Sequence, residues 1–343
     1  MDVTHGPLHG GPDALGVPLH DFSTNSNACG PCPDALEALR SADATRYPDP
    51  AYTALRERLG AFHGVAPARI VIAGSASEFI HRITAFAARH GARAVAVPMH
   101  GYGDYARAAN AWGLEVVPAA PGASHEAAGL HWACDPSSPL GTPDPVLAGW
   151  SRSAADDGAL RVLDCAYAPL RLNGTAAAPM PADAWQLWTP NKALGLTGVR
   201  AAYAIAPKAQ PPQDLAALQS LAPSWPTGAH GVALLSSWTA PCTQQWLHGS
   251  LDTLRAWKAQ QQVLCESLGW TVSPGSLANY FVARPAVNDL PAALASLRED
   301  GIKLRDCASF GLPGQVRLGV LPLQSQQALR RAWHGGRWTA SLR

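Results

Sequence analysis

The sequence predicts an α/β protein, in which a large domain built on a mostly parallel sheet flanked by helices is followed by a smaller α+β domain. Three observations carry this. Short β-branched runs alternate with helix-period segments from about residue 50 to about residue 206, helical pattern dominates from there to about residue 268, and strand-like and helical runs mix over the remainder. At 343 residues the chain also exceeds the size at which a single core keeps growing, so two domains sharing an interface are expected.

Taken in order, the first forty residues are rich in Gly, Pro, Asn and His and read as an extended arm that ends in a short helix, "PDALEALR". Such a segment has little to bury by itself and must lie on another surface. The helical "DPAYTALRERLGAFHGV" opens the large domain, and the runs "RIVIAG", "RAVAVP", "LEVVP", "LRVLDCAY" and "RAAYAIA" supply its strands. Strands separated by helices imply parallel pairing, and such sheets bind ligands beyond the carboxyl ends of their strands. A proline-rich turn at 207–213 precedes the helical "DLAALQSLA", "GVALLSSWTA" and "LDTLRAWKAQQQVLCESL". "NYFVARP", the helix "LPAALASLREDG", "IKLRDC" and "QVRLGVLP" complete the small domain. The expected division is an arm at 1–43, a large domain at 44–228 and a small domain at 229–343.

Composition narrows the function. Lys and Arg total 26 against 25 Asp and Glu, with no basic run to neutralise a phosphate backbone, so nucleic acid is not an expected partner. No apolar run reaches membrane-spanning length and the N-terminus lacks the basic-then-apolar order of a signal peptide, which sets the expectation of a cytoplasmic protein. Seven scattered cysteines suit reduced or buried thiols better than a disulfide framework. "CGPC" at Cys29–Cys32 has redox spacing but follows a polar, irregular stretch instead of a core strand, and lacks the second pair that a four-cysteine zinc site needs. "GYGDYA" at Gly101 imitates a dinucleotide turn without the acidic residue that ribose binding wants. "HGG" at His9 is unaccompanied by any G-x-S-x-G nucleophile elbow.

The stretch "WTPNKALGLTGVRAAYAI" is different, because Lys192 sits among small and apolar residues with Arg200 as the only other charge in Trp188 to Ile205. A pyridoxal phosphate site requires a lysine for a Schiff base, an acid facing the pyridinium nitrogen and donors for a phosphate. Lys192 lies in a glycine-rich turn before a strand, Asp164 ends the apolar "LRVLD", and Tyr167 follows three residues later. Thr189 and Arg200 flank the lysine as phosphate donors, and "IVIAGSASEFIHRI" adds a helix start at Ser75–Ser77 whose N–H groups suit an anion. Singly, each has a plainer reading: a turn or cap for the aspartate and serine, a surface ion pair for the arginine, a core tyrosine for Tyr167. Order and spacing together point to the site.

On these segments the chain resembles the fold-type I pyridoxal-phosphate enzymes of aminotransferase class I/II, and within them the branch of histidinol-phosphate aminotransferase and L-threonine-O-3-phosphate decarboxylase. "HGG…DFSTNSNACGPCPDALEAL" is similar to the branch's arm, "RYPDPAYTALRERLGAFHGV" to its Tyr-Pro-Asp segment and "VPMHGYGDYARAA" to the loop carrying a ring-stacking aromatic. "DPSSPLG", "LDCAY", "TPNKALGLTGVR" and "KLRDCASFGLPGQVRLGV" then match, in order, the ring-contact loop, the pyridinium acid, the Schiff-base lysine and the substrate arginines. The resemblance implies a large domain with a seven-stranded type of sheet, pyridoxal 5'-phosphate as cofactor and a homodimer with shared active sites. It makes Lys192 the Schiff-base lysine and proton shuttle, Asp164 the pyridinium partner and Tyr167 the contact to the phenolic oxygen. Ser75, Ala76, Thr189 and Arg200 would hold the phosphate, Tyr102 would stack on the ring, and Tyr47 would reach the phosphate in the neighbouring subunit. Arg317 would take the substrate carboxylate, with Arg305, His9 and Asn27 toward the rest of the substrate, where Arg305 and His9 suit a second anion such as phosphate. One position departs from the pattern: Ser138 stands where the branch carries an asparagine before Pro-x-Gly, a shorter side chain with a single donor.

The arm and the "RDCASF" segment make a decarboxylase of L-threonine O-3-phosphate, as used in cobalamin side-arm synthesis, the first functional expectation. The alternative is an aminotransferase of histidinol-phosphate type. The third is a catalytically altered cofactor binder, with Ser138 as its mark.

Overall fold

A computed structural model describes residues 10–119, 128–150, 158–174 and 181–336. The arm contributes a short strand β1 (His20–Asp21) and helix α1 (Pro33–Arg40), whose proline sits at the helix start where its missing N–H costs nothing. Helix α2 (Thr53–His63) ends on Gly64 at φ +66°, a left-handed C-cap. Next come β2 (Ile70–Ala73), α3 (Ala76–Arg89), β3 (Ala94–Pro98), α4 (Gly103–Ala111), β4 (Glu115–Ala119), β5 (Ala128–Cys134) and the single turn α5 (Leu147–Trp150). They are followed by β6 (Leu160–Asp164), β7 (Trp185–Trp188), β8 (Ala202–Ile205), α6 (Pro212–Ser220), α7 (Ala229–Trp238) and the 27-residue α8 (Pro241–Ser267). The C-terminal part holds β9 (Thr271–Val272), β10 (Tyr280–Arg284), α9 (Leu290–Glu299), β11 (Ile302–Lys303), β12 (Arg305–Asp306), β13 (Val316–Gly319) and α10 (Leu323–Gly335).

Seven strands form one sheet in the order β2-β8-β7-β6-β5-β3-β4. Only β8 runs antiparallel to its neighbours, β2 and β7. The expected mostly parallel sheet is therefore present, with β5 and β7 as strands the sequence pattern had not singled out. "AGLHWAC" and "WQLW" carry no β-branched residue, and their strand character comes from burial between neighbours. β2 and β8 are buried at every position because helices cover both faces. On one face Phe79, Ile80 and Ile83 of α3 and Tyr105 and Ala108 of α4 pack on Val95, Leu130, Trp132 and Val162. On the other, Leu55 and Leu59 of α2 and Leu234, Leu235 and Trp238 of α7 pack on Tyr203 and Ile205.

The reversal of β8 matters for the site. The turn leading into β8 emerges at the same rim as the carboxyl ends of β2, β3, β5 and β6, so segments remote in sequence converge there.

The smaller antiparallel sheet runs β12-β13-β10-β9 and packs Phe281, Val316 and Leu318 against Leu264 and Cys265 of α8, Leu268 at its C-cap and Leu297 of α9. α8 also places Leu247 and Leu254 in the core of the large sheet, so one helix about 40 Å long belongs to both. The arm bridges both cores: β1 pairs parallel with β11, Phe22 enters the small sheet's core, and Asp13 bonds Arg298 at 2.8 Å and Lys303 at 2.9 Å, while Ala35 and Leu39 of α1 pack in the large sheet's core. Those two cations hold the Asp13 carboxyl well below its ordinary pKa. Among the described residues no helix is long and apolar enough to cross a membrane.

Candidate active site

A cavity of about 490 Å³ opens at the shared rim, between the two sheets and under the arm. Eleven of the residues singled out in the sequence line it: Ser75, Ala76, Tyr102, Ser138, Asp164, Tyr167, Thr189, Lys192, Arg200, Arg305 and Arg317. Asp164 ends β6 and is 4% exposed. Its Oδ2 accepts a hydrogen bond from Tyr105 Oη at 2.7 Å and its Oδ1 one from the Ala166 N–H at 2.9 Å. Burial raises its pKa, and the Tyr105 hydroxyl, the Ala166 N–H and the charge of Lys192 only partly oppose that rise. A carboxylate so placed is stabilised by a cation brought beside it. Lys192 Nζ lies 5.4 Å from the centroid of the Tyr167 ring. Across the cavity Tyr102 meets Tyr105 edge-on at 5.8 Å, and burial pushes the Tyr102 hydroxyl up to about 12.

The helix start at Ser75 has the expected form. Ser75 is the N-cap of α3, its Oγ accepting from the Glu78 N–H at 3.1 Å, which leaves the N–H groups of the first turn turned toward an incoming anion. Arg200 also lines the cavity. Thr189 differs in detail, since its hydroxyl bonds Asn191 Oδ1 at 3.0 Å and faces the Ala201 carbonyl at 3.4 Å.

One end of the cavity is built from β12 and β13, where Arg305 and Arg317 stand directly opposite each other. Like charges in register repel, and burial together with the neighbouring Arg317 lowers the Arg305 pKa. Both guanidinium groups lie over the Phe310 ring, at 4.8 and 5.5 Å. Arg317 donates to Ser138 Oγ at 3.2 Å and to the Ser23 carbonyl at 3.1 Å, while its Nε has no partner among the described residues. Arg305 donates to Ser309 Oγ at 2.8 Å. Such a pair is arranged for anions.

One residue expected at the site lies elsewhere, and a second, Tyr47, was expected at the neighbouring subunit's site and not at its own. Asn27 is buried away from the cavity, donating to the Ala193 carbonyl at 3.0 Å and to Ser250 Oγ at 2.8 Å. Asn25, two residues earlier, lines the cavity instead, donates to Tyr167 Oη at 3.2 Å and has no partner for Oδ1 among the described residues. The extended arm points its side chains in different directions, so a slip of two in choosing among "NSN" was invisible to the pattern. Tyr47 is 77% exposed and stacks on Trp225 at 4.3 Å, outside the cavity of its own chain. His9, also expected near the substrate, lies outside the described residues. Tyr105, the partner of Asp164, was not singled out; its position three residues after Tyr102, on the buried face of α4, was the available signal. Cys29 and Cys32 are both free thiols, and burial raises the pKa of Cys29, the opposite of what a redox thiol needs.

The model of the aminotransferase class I and II family matches residues 17–334. The chain belongs to that family. A histidinol-phosphate aminotransferase from Ruegeria pomeroyi is 31% identical over 320 residues, spanning 87% of this chain and 86% of that protein. Among solved structures, the histidinol-phosphate aminotransferase from Sinorhizobium meliloti in complex with pyridoxal-5'-phosphate has a TM-score of 0.76 at 22% identity, covering 91% of this chain and 90% of that one. The L-threonine-O-3-phosphate decarboxylase from Porphyromonas gingivalis has a TM-score of 0.74 at 20% identity, covering 92% and 98%. These confirm the fold-type I architecture, and the family membership makes the protein a pyridoxal-phosphate-dependent enzyme. The order of the functional expectations is reversed, however: the sequence relatives favour the aminotransferase, and the decarboxylase likeness speaks for the fold alone.

The residues present fit the cofactor. A buried carboxylate in need of a cation, a lysine beside it, a helix N-terminus with an arginine at one end and an aromatic wall are the groups such a molecule requires.

Proposed function

We propose that this enzyme is an aminotransferase of the histidinol-phosphate type, acting on a small amino substrate that carries an anionic group, and that it works as a homodimer. The pair of opposed arginines at one end of the cavity carries the substrate half of this reading, and the 31% identical relative supports the reaction half.

When bound, pyridoxal phosphate supplies an electron sink for the pair of electrons released at the substrate's amino-bearing carbon. Around it, Asp164 keeps a positive charge at the ring nitrogen, and Tyr105 and the Ala166 N–H keep Asp164 in place. Lys192 would hold the cofactor at rest and would carry a proton at the substrate carbon. Tyr167 and Tyr102 would hold the ring, and Ser75, Ala76, Thr189 and Arg200 would hold the phosphate. Tyr47, exposed in its own chain, extends to the phosphate site of the second subunit. Arg317 takes a carboxylate, with Ser138 accepting one of its N–H bonds in place of a longer amide. Arg305 takes the second anion. By orienting the substrate, the two arginines would select which of its bonds is broken.

A second reading is favoured by one observation. Arg305 and Arg317 face one space that is roofed by Gly10, Ser23 and Thr24 of the arm, an arrangement suited to a single substrate carrying both carboxylate and phosphate, as L-threonine O-3-phosphate does. The two readings separate in one assay with O-phospho-L-threonine and, separately, histidinol phosphate. Stoichiometric conversion of the cofactor to its amine form by histidinol phosphate, reversed by 2-oxoglutarate, is the expected result. Release of carbon dioxide from O-phosphothreonine with no keto acid present would instead establish the decarboxylase.

A further inference from the structure

Lys258 is a buried cation that the chemistry above does not use. It projects from α8, is 2% exposed, and forms no ion pair with a carboxylate among the described residues. Its ammonium instead donates to the Ser276 carbonyl at 2.6 Å, the Ala278 carbonyl at 2.7 Å and Ser276 Oγ at 3.2 Å. Burial without a counter-ion pushes its pKa down to about 8. A buried, uncompensated ammonium is costly, and an apolar side chain of the same length would avoid that cost.

What the ammonium holds is the turn Ser276–Asn279, and this turn touches three walls of the cavity. The Leu277 N–H donates to the Gly141 carbonyl at 2.7 Å, and Gly141 in turn donates to the Ser137 carbonyl at 2.6 Å, closing the loop that carries Ser138. Ser276 Oγ lies so close to Gly141 that a side chain there would collide with it, and Gly141 adopts φ +74°. Asn279 Nδ2 donates to the Asn25 and Ser26 carbonyls of the arm, both at 3.2 Å. At the end of the turn, Tyr280 Oη donates to the Ser137 carbonyl at 2.8 Å, and its ring lies 5.5 Å from the Arg317 guanidinium and edge-on to Tyr167 at 4.7 Å.

We propose that Lys258 is a positioning residue for the substrate's carboxylate: by tying Ser276 to Ala278 it fixes the Ser138 loop and the Tyr280 ring, and through them the aim of Arg317. It acts at the substrate end, and the phosphate contacts at Ser75 and Arg200 lie outside the segments it ties. This rests on the reading of Arg317 as the carboxylate ligand, and the test separates the two.

The holoenzyme, Lys258→Met and Lys258→Arg are compared by the absorbance of the bound cofactor, by calorimetric affinity for maleate, a non-reacting dicarboxylate, and by kcat and KM. The expected result is an unchanged cofactor spectrum in Lys258→Met, maleate affinity and KM each weakened roughly tenfold, a smaller change in kcat, and recovery in Lys258→Arg. Should Lys258→Met not fold, Lys258→Gln, which keeps an N–H donor without the charge, is expected to show the same split at smaller size. Maleate affinity within twofold of wild type in a folded neutral variant, or a loss matched by equal loss of cofactor, overturns the proposal. A wild type that binds maleate but turns over neither amino substrate overturns the functional reading alone, and one that binds no maleate overturns this proposal.

Discussion

At the scale of single residues, the polar groups of this protein are legible through what they donate and accept. His63 Nε2 lies 2.7 Å from Tyr203 Oη, and the same oxygen accepts from Trp238 Nε1 at 3.0 Å. A hydroxyl both donates and accepts, so Tyr203 satisfies a neutral His63 in either tautomer, and burial pushes the imidazole pKa down to about 4. In the unfolded chain the same group titrates near its ordinary value of about 6.5, so the unfolded state takes up the proton first as pH falls. Stability should therefore drop between about pH 6.5 and pH 4 and be unaffected by this residue above that window. Thermal melts at pH 7.5 and pH 5 check this: His63→Gln should shrink the difference between them, and an unchanged difference would assign acid sensitivity elsewhere. Sequence reasoning reached Lys192 because a charge in an apolar stretch is a visible anomaly, Asp164 because it ends an apolar strand, and Arg305 and Arg317 through the family resemblance. It passed over Asn25 and Tyr105, polar residues in stretches where polarity is ordinary, whose roles depend on contacts 142 and 59 residues away.

At the scale of elements, the N-terminus of α3 does two jobs with one side chain. Ser75 caps the helix through the Glu78 N–H, and Glu78 Oε2 reaches back to the Gly74 N–H at 3.1 Å, which fixes the turn that faces the cavity. Ser75→Ala should cost about 1 kcal/mol of stability and weaken cofactor binding as well, measured by denaturant unfolding of the apoprotein and by cofactor titration. A stability loss with unchanged cofactor affinity would reduce Ser75 to a cap. The helices and most strands of the large sheet could be read from periodicity, and the "SAS" helix start from its capping residues. β5 and β7 could not, because "AGLHWAC" and "WQLW" become strands only through the neighbours they pair with, Ala94–Ala96 and Leu160–Asp164 for one, Val162–Asp164 and Tyr203–Ile205 for the other.

At the scale of the whole molecule, the cavity is walled by both sheets and by the arm, so a ligand there ties three parts of the chain together. Ligand binding to the folded state alone stabilises it by about 2.7 kcal/mol at a hundredfold excess over Kd. Stripping the cofactor should accordingly lower Tm, and adding it back should raise Tm with concentration, while Lys192→Ala should keep a reduced share of the gain through the phosphate and ring contacts. A melting temperature indifferent to the cofactor in the wild type would mean that the three parts do not close on it. The double core of α8 has a further result. Leu247 and Leu254 are set in one sheet's core and Leu264 and Cys265 in the other's, so the helix fixes the angular phase between them as a keyed shaft fixes two gears. One residue inserted between Leu254 and Leu264 would advance the far end by about 1.5 Å and turn it by about 100°. Both cores cannot then seat the helix at once. Point substitutions are free to vary along its exposed face, but its length is not, and the distance from the lysine to the two arginines is counted out in its turns.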